Sequence, residues 1–161
     1  MKPQVAIVMG SDSDLATMNE AANILKEYKV PYEIKILSAH RSPDDTVHFA
    51  KTARKNGFQV IIAGAGGAAA LAGVIAASTT IPVIGVPMET KELKGIDSLF
   101  STVQMPSGVP VATVTIGNAG ARNAGILALE ILSLRDRRIE KKLAEFKKSL
   151  AEGVRKKNKK N

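Results

Sequence analysis

The chain has 161 residues, 45% of them apolar and 4% aromatic, with no Trp and no Cys. This length argues for one main domain with a core of Ala, Val, Ile and Leu, and the missing cysteine excludes disulfides, thiolate metal sites and a cysteine nucleophile. The net charge of +8 belongs to the tail, because from Ser133 on there are 12 Lys or Arg against 4 Asp or Glu, while the 132 residues before it carry 11 of each.

A basic tail on a neutral domain reads as a solvated helix and a frayed end. No aromatic residues interleave with its cations to stack on bases, so no nucleic-acid partner is expected. MKPQVAIVMGSDSD has too short an apolar run for a signal peptide, and no uninterrupted run could span a bilayer, so no membrane partner is expected. The lack of cysteine suits a reducing, cytoplasmic setting.

Gln4 to Met9 reads as a short buried strand, followed by the polar turn Gly10-Ser11-Asp12-Ser13-Asp14. Leu15, Met18, Ala22 and Leu25 then recur at helical spacing, with Ser11 or Asp12 as cap and Asp14 in the first turn. Val30-Pro31 ends that helix, and Tyr32 to Leu37 forms the second strand. After Ser38-Ala39-His40-Arg41, Ser42-Pro43-Asp44-Asp45 starts a helix: a capping serine, proline at the first helical position, and acids in the first turn. That helix runs to the stop at Asn56-Gly57. Gln59 to Ala63 is the third strand, and the small-residue run from Gly64 to Gly73 opens a helix lasting to about Ser78. Pro82 to Val86 is the fourth strand, Ile96 to Val103 a helix, and Val109 to Ile116 the fifth strand. An Ala-rich helix spans Asn118 to about Ser133. The last helix carries Ile139, Leu143, Phe146 and Leu150 on one stripe and dissolves into Lys156-Lys157-Asn158-Lys159-Lys160.

Short apolar strands alternating with helices predict an α/β fold, a three-layer αβα sandwich with a flavodoxin-like, five-stranded parallel sheet. The expected domains are residues 1–133 for the α/β unit and 134–161 for a projecting amphipathic helix and basic tail. In such sheets ligands bind beyond the carboxyl ends of the strands, at a switch in strand order. The unusual turns all fall at those ends: Gly10 to Asp14, Ser38 to Arg41, Gly64 to Ala70 and Pro87 to Thr90.

Each turn has a chemical reading and a plainer alternative. Amides at a helix N-terminus favour phosphate, so Ser11 and its neighbours can hold one while Asp14 accepts from ribose hydroxyls; alternatively Ser11 and Asp14 merely cap a helix. The bare backbone of Gly64-Ala65-Gly66-Gly67, with Ala68 to Ala70 keeping the wall tight and uncharged, can close over a flat ring; alternatively small residues only let helix and sheet pack closely. As an imidazole, His40 can give and take a proton, with Arg41 beside it as a fixed cation for carboxylate or phosphate; alternatively it is a structural histidine satisfied by backbone. His48, well down its helix, reads as surface or packing. Two histidines without cysteine make a poor ligand set, so no metal site is expected. No Gly-x-Ser-x-Gly elbow is present for a serine hydrolase.

Taken in order, GSDSD, SAHR, AGAGGAA and PVIGVP, with the run from Asp97 to Gly125, resemble the 5-(carboxyamino)imidazole ribonucleotide mutases of bacterial purine biosynthesis, over roughly residues 4 to 133. The resemblance implies an isomerase that moves a carboxylate from the exocyclic nitrogen of an imidazole ribonucleotide to ring carbon 4, with no ATP, metal or other cofactor. It implies His40 as general acid/base, Ser11, Asp14 and Arg41 as nucleotide-binding residues, and Ser38 with the backbone of Gly64, Ala65, Gly66, Gly67, Ala68 and Ala69 as pocket lining. It also implies a homo-octamer in which the C-terminal helix packs on neighbours. Many members have histidine and proline where this chain has Ala70 and Ala72. The alternatives are a direct CO2-dependent aminoimidazole ribonucleotide carboxylase and a non-catalytic flavodoxin-like nucleotide-binding module.

Overall fold

The computed structural model describes residues 2–158. Five strands, β1 (Val5–Met9), β2 (Tyr32–Ile36), β3 (Val60–Ala65), β4 (Val83–Pro87) and β5 (Ala112–Thr113), form one sheet in the order β2-β1-β3-β4-β5. Every pairing is parallel, with Ile7 opposite both Ile34 and Ile62 and with Gly64 opposite Val86. The helices are α1 (Leu15–Glu27), α2 (Pro43–Asn56), α3 (Leu71–Ala77), α4 (Ile96–Val103), α5 (Gly117–Ser133) and α6 (Arg137–Asn158). The flavodoxin-like α/β reading is therefore the fold observed.

β1, β3 and β4 are buried throughout, as central parallel strands covered on both faces must be. Period-2 alternation sends Ala6, Val8, Ile61 and Ala63 to one face, where they cluster with Phe49, Ala50 and Ala53 of α2 and Leu71, Ala72 and Ile75 of α3. Met18 of α1 lies under Gly64, on the other face. α5 meets α1 at Gly125, where a Cβ would come within 2.9 Å of the Ile24 Cβ. The residues divide into two compact units, one up to Ala128 and one from Leu129 onward. In the second, α6 buries Ile139 and Leu143 and leaves Leu150 and Val154 exposed.

Three elements differ from the sequence reading by more than one residue. The fifth strand was expected over eight residues, but only Ala112 and Thr113 pair with β4. An edge strand has one neighbour, and Pro110 offers no N–H to a ladder. β3 continues past Ala63 through Gly64 to Ala65, so the glycine turn starts inside the sheet. α6 continues through Lys156, Lys157 and Asn158, which were expected to fray; Lys159 and Lys160 lie outside the described residues. Among the described residues no helix is long and apolar enough to cross a membrane.

The strand order reverses between β1 and β3: β2 lies on one side of β1, and β3, β4 and β5 on the other. The connections leaving β1 and β3 therefore diverge, and a crevice opens beyond Met9 and Ala65.

Candidate active site

A cleft of about 400 Å³ occupies that crevice. Its walls are Gly10, Ser11, Ser13 and Asp14 after β1, Ser38 to Arg41 after β2, and Ala65, Gly66 and Ala69 to Leu71 after β3. Ser11, Asp14, Ser38, His40, Arg41, Ala65, Gly66 and Ala69, all singled out from the sequence, thus meet at one place.

Gly64, Gly67 and Ala68 do not line the cleft. Gly64 is buried beneath it, where a Cβ would stand 2.6 Å from both the Met18 Sδ and the Met88 Cε. Gly67 turns away at φ +64°, donating its N–H to the Ser98 Oγ at 2.9 Å. Ala68 is exposed. Ala70, read as part of the wall, lines the cleft, and so do Gly10, Ser13, Ala39 and Leu71, which were given no role of their own. Gly10 and Ser13 lay within the GSDSD turn, where reading farther than Ser11 and Asp14 would have found them. Leu71 looked like the start of a helical core face, and its position depends on the β3 turn.

The Ser38–Ser42 turn is held by its own serines. Ser38 N–H donates to the Ser42 Oγ at 3.1 Å, and the Ser42 Oγ donates back to the Ser38 carbonyl at 3.3 Å. Ser42 was read as a helix cap; its hydroxyl instead closes this turn, while its backbone occupies the cap position before Pro43. The Ser38 Oγ accepts from Arg41 N–H at 3.1 Å and from Arg41 Nε at 3.3 Å. Arg41 Nη2 reaches across to donate to the Gly10 carbonyl at 2.6 Å. The guanidinium thereby ties the β1 turn to the β2 turn and sits as a fixed cation between them. His40 stands at the tip of this turn, exposed, and its imidazole makes no hydrogen bond among the described residues. No backbone group of the described residues satisfies the ring. His48 is exposed on α2.

In the β1 turn a single 3₁₀ turn, Asp12–Asp14, precedes α1. Two of its amides are used locally: Ser13 N–H donates to the Ser11 Oγ at 3.3 Å, and Asp14 N–H donates to the Ser11 carbonyl at 3.3 Å. Ser11 caps this short turn rather than α1, and Asp14 sits at the start of α1 with no capping bond from its side chain. Burial pushes the Asp14 carboxyl above the usual carboxylate range; the Ser13 hydroxyl lowers it in part, and the charge of Asp12 raises it. The cleft therefore brings together a carboxyl that resists ionisation, a pinned guanidinium and an unencumbered imidazole. Among the described residues no cluster of three His, Cys, Asp or Glu is placed to hold a metal ion.

The geometry suits a small anionic ligand: a cation at one end, an imidazole at the rim and a bare, neutral wall at Ala65-Gly66. Comparison with known proteins gives a consistent picture. A family model described as AIR carboxylase matches residues 4–153. The N5-carboxyaminoimidazole ribonucleotide mutase of Bacillus subtilis (strain 168) is 57% identical, over 96% of this chain and 95% of its own. The protein of the same name from Escherichia coli (strain K12) is 52% identical, over 94% of this chain and 89% of its own. The crystal structure of Treponema denticola PurE superposes with a TM-score of 0.87 at 29% identity, covering 98% of each chain.

Proposed function

The chain belongs to the AIR carboxylase family, and from that premise we propose that it is an N5-carboxyaminoimidazole ribonucleotide mutase, an isomerase of purine biosynthesis. The observation that carries this reading is identity above half with relatives of that name, over nearly the whole length of both chains. The cleft supports it, because its residues suit the steps required.

In the proposed reaction the bond from the exocyclic nitrogen to the carboxylate breaks. CO2 leaves, and the nitrogen takes up one proton. Ring carbon 4 then attacks the CO2 carbon, and the proton displaced from carbon 4 leaves to a base. One group serves both transfers, and His40 is that group: its ring lines the cleft unencumbered, and one imidazole can act first as acid and then as base. Arg41, Ser11 and Ser38 hold the phosphoribosyl part, and Asp14 accepts from ribose hydroxyls. The wall formed by Ala65, Gly66 and Ala69 offers no side chain beyond a methyl, so a flat imidazole and a CO2 molecule can lie against it with water excluded. Ala70, where many members carry histidine, lines this cleft as one more methyl. No cofactor enters this scheme.

The same reading makes the chain a homo-oligomer, an octamer by its family resemblance, in a cytoplasmic setting. Leu93, Ile96, Phe100 and Val103 give α4 and its approach an exposed apolar face, which supports burial against other copies. The absence of cysteine supports the compartment. Residues 1–133 then form the catalytic domain, and 134–161 serve oligomer packing.

The deciding assay offers purified protein two substrates, the carboxyamino ribonucleotide and the amino-imidazole ribonucleotide with bicarbonate. Turnover of the first at the higher kcat/KM is the expected result. Preference for the second would identify the direct carboxylase instead, and saturable binding without turnover a non-catalytic module.

A further inference from the structure

We propose that Ser98 and Ser101 of α4 are positioning residues that hold the glycine wall of the cleft, and so set how well CO2 is retained between the two steps; this rests on the mutase reading above. α4 has an inverted character. Its outer face presents Ile96, Phe100 and Val103 to solvent, while its inner face buries the hydroxyls of Ser98 and Thr102. Ser98 has no exposed surface. Packing alone would place an apolar residue there, so the buried hydroxyl calls for a polar task.

That task is visible at Gly67. The Ser98 Oγ accepts the Gly67 N–H at 2.9 Å, and the Ser101 Oγ donates to the Gly67 carbonyl at 3.3 Å. Both peptide groups of Gly67 are thus tied to one helix. Gly67 itself does not touch the cleft, but Gly66, one residue before it, forms the wall. Gly66 lies against the end of β4, since a Cβ there would come within 3.3 Å of the Met88 Cβ.

α4 is in turn anchored. Gly95 N–H donates to the Thr90 Oγ1 at 3.1 Å, and the Thr90 Oγ1 donates to the Asp97 carboxylate at 2.8 Å, which fixes the start of the helix. Thr102 donates to the Ser98 carbonyl at 2.7 Å, and Thr113 of β5 donates to the Thr102 carbonyl at 3.3 Å. Gly85 of β4 leaves room for this contact, because a Cβ there would come within 2.4 Å of the Thr102 Cγ2. The wall after β3 is therefore positioned from β4 and β5, through hydroxyl groups that never meet the ligand.

The experiment compares Ser98→Ala and Ser101→Ala with the wild type. Two quantities are read: amide hydrogen exchange at Gly67, and the ratio of free amino-imidazole ribonucleotide to carboxylated product formed from the carboxyamino substrate. Exchange at Gly67 should accelerate about tenfold in Ser98→Ala, the worth of one hydrogen bond. The product ratio should shift several-fold toward the free amino-imidazole. Ser101→Ala, altered at an exposed residue, should move both in the same direction by less. The ratio is read after subtracting the amino-imidazole that the carbamate forms without protein, and exchange at Gly67 is read relative to Ser38 and Arg41, so partial unfolding, which lowers total turnover and speeds all three amides alike, moves neither reading. Unaltered exchange at Gly67 in Ser98→Ala would overturn the clamp. Faster exchange with an unaltered ratio would overturn its positioning role. A wild-type protein that turns over neither substrate would overturn the mutase reading and the positioning role with it, while exchange at Gly67 would still report the clamp.

Discussion

The two turns facing each other across the cleft are held in opposite ways. Ser38–Ser42 is closed by bonds between residues three or four apart, all within SAHRS. The Gly66–Gly67 turn is held by serines 31 and 34 residues farther along the chain. One turn brings its own restraint; the other borrows a helix. A turn that carries an imidazole and a guanidinium has side chains with which to brace itself. A turn whose use lies in being bare has none, so its support must come from elsewhere.

Four substitutions test this contrast. The largest effect is expected at His40. His40→Asn should lower turnover by about 10²- to 10⁴-fold, the usual contribution of general acid/base catalysis, with circular dichroism and melting temperature unchanged because the ring is exposed and makes no hydrogen bond. Turnover within a few-fold of wild type would remove His40 from the mechanism.

Next in size is Gly85→Ala, which acts on the borrowed support alone. The new methyl would meet the Thr102 Cγ2 at 2.4 Å and the Val111 Cγ1 at 2.8 Å. Both belong to β-branched side chains with little room to turn. A loss of about 1–3 kcal/mol in chemical denaturation is expected, together with faster amide exchange at Gly67 and unaltered exchange at Ser38 and Arg41. Equal disturbance of both turns would erase the distinction between them.

Ser42→Ala acts on the self-braced turn. It removes both bonds between Ser42 and Ser38 made through the hydroxyl and should cost about 1 kcal/mol. It should raise KM more than it lowers kcat, since Arg41 loses part of its footing while His40 stays. An unchanged KM would mean that Ser38 and Gly10 position Arg41 without help from Ser42.

The smallest effect is a pH dependence at Asp14. Its folded-state pKa is raised above 3.8, chiefly by burial. The folded protein therefore binds this proton more readily than the unfolded chain, and the ionised carboxylate disfavours folding as pH rises through that range. Asp14→Asn should be slightly more stable than wild type at pH 7, and the difference should fade below about pH 3.8, where both states of the wild type are protonated. Paired melting temperatures across that range would check it; a variant less stable at pH 7 would mean that the ionised carboxylate is favourably held.

How much of the site could be read from the sequence follows the same division. Ser38, His40 and Arg41 stand out because polar residues interrupt an apolar strand and lead into Pro43 and two acids, all within a few residues. Gly66 was found because glycines cluster, but the cluster alone did not tell which glycine faces the cleft, which lies beneath it and which turns away. Gly64, Gly66 and Gly67 differ by what is packed around them: Met18 and Met88, an open cleft, and Ser98. Ser98 and Ser101 gave no signal at all, because a serine in a short helix looks the same whether it faces water or a buried amide.

Thus the order of strands and helices and the polar turns at the strand ends, Ser38 to Arg41 among them, were determined by the sequence, through hydrophobic period, proline and glycine placement and local capping chemistry. These act over a few residues and leave a mark in any window of the chain. The tertiary structure alone decided the short edge strand at Ala112–Thr113, the bridge from Arg41 to Gly10, the burial of Gly64 and the hold of α4 on Gly67. Each depends on atoms far apart in the chain meeting at a few ångströms, and no local pattern of residues encodes such a meeting.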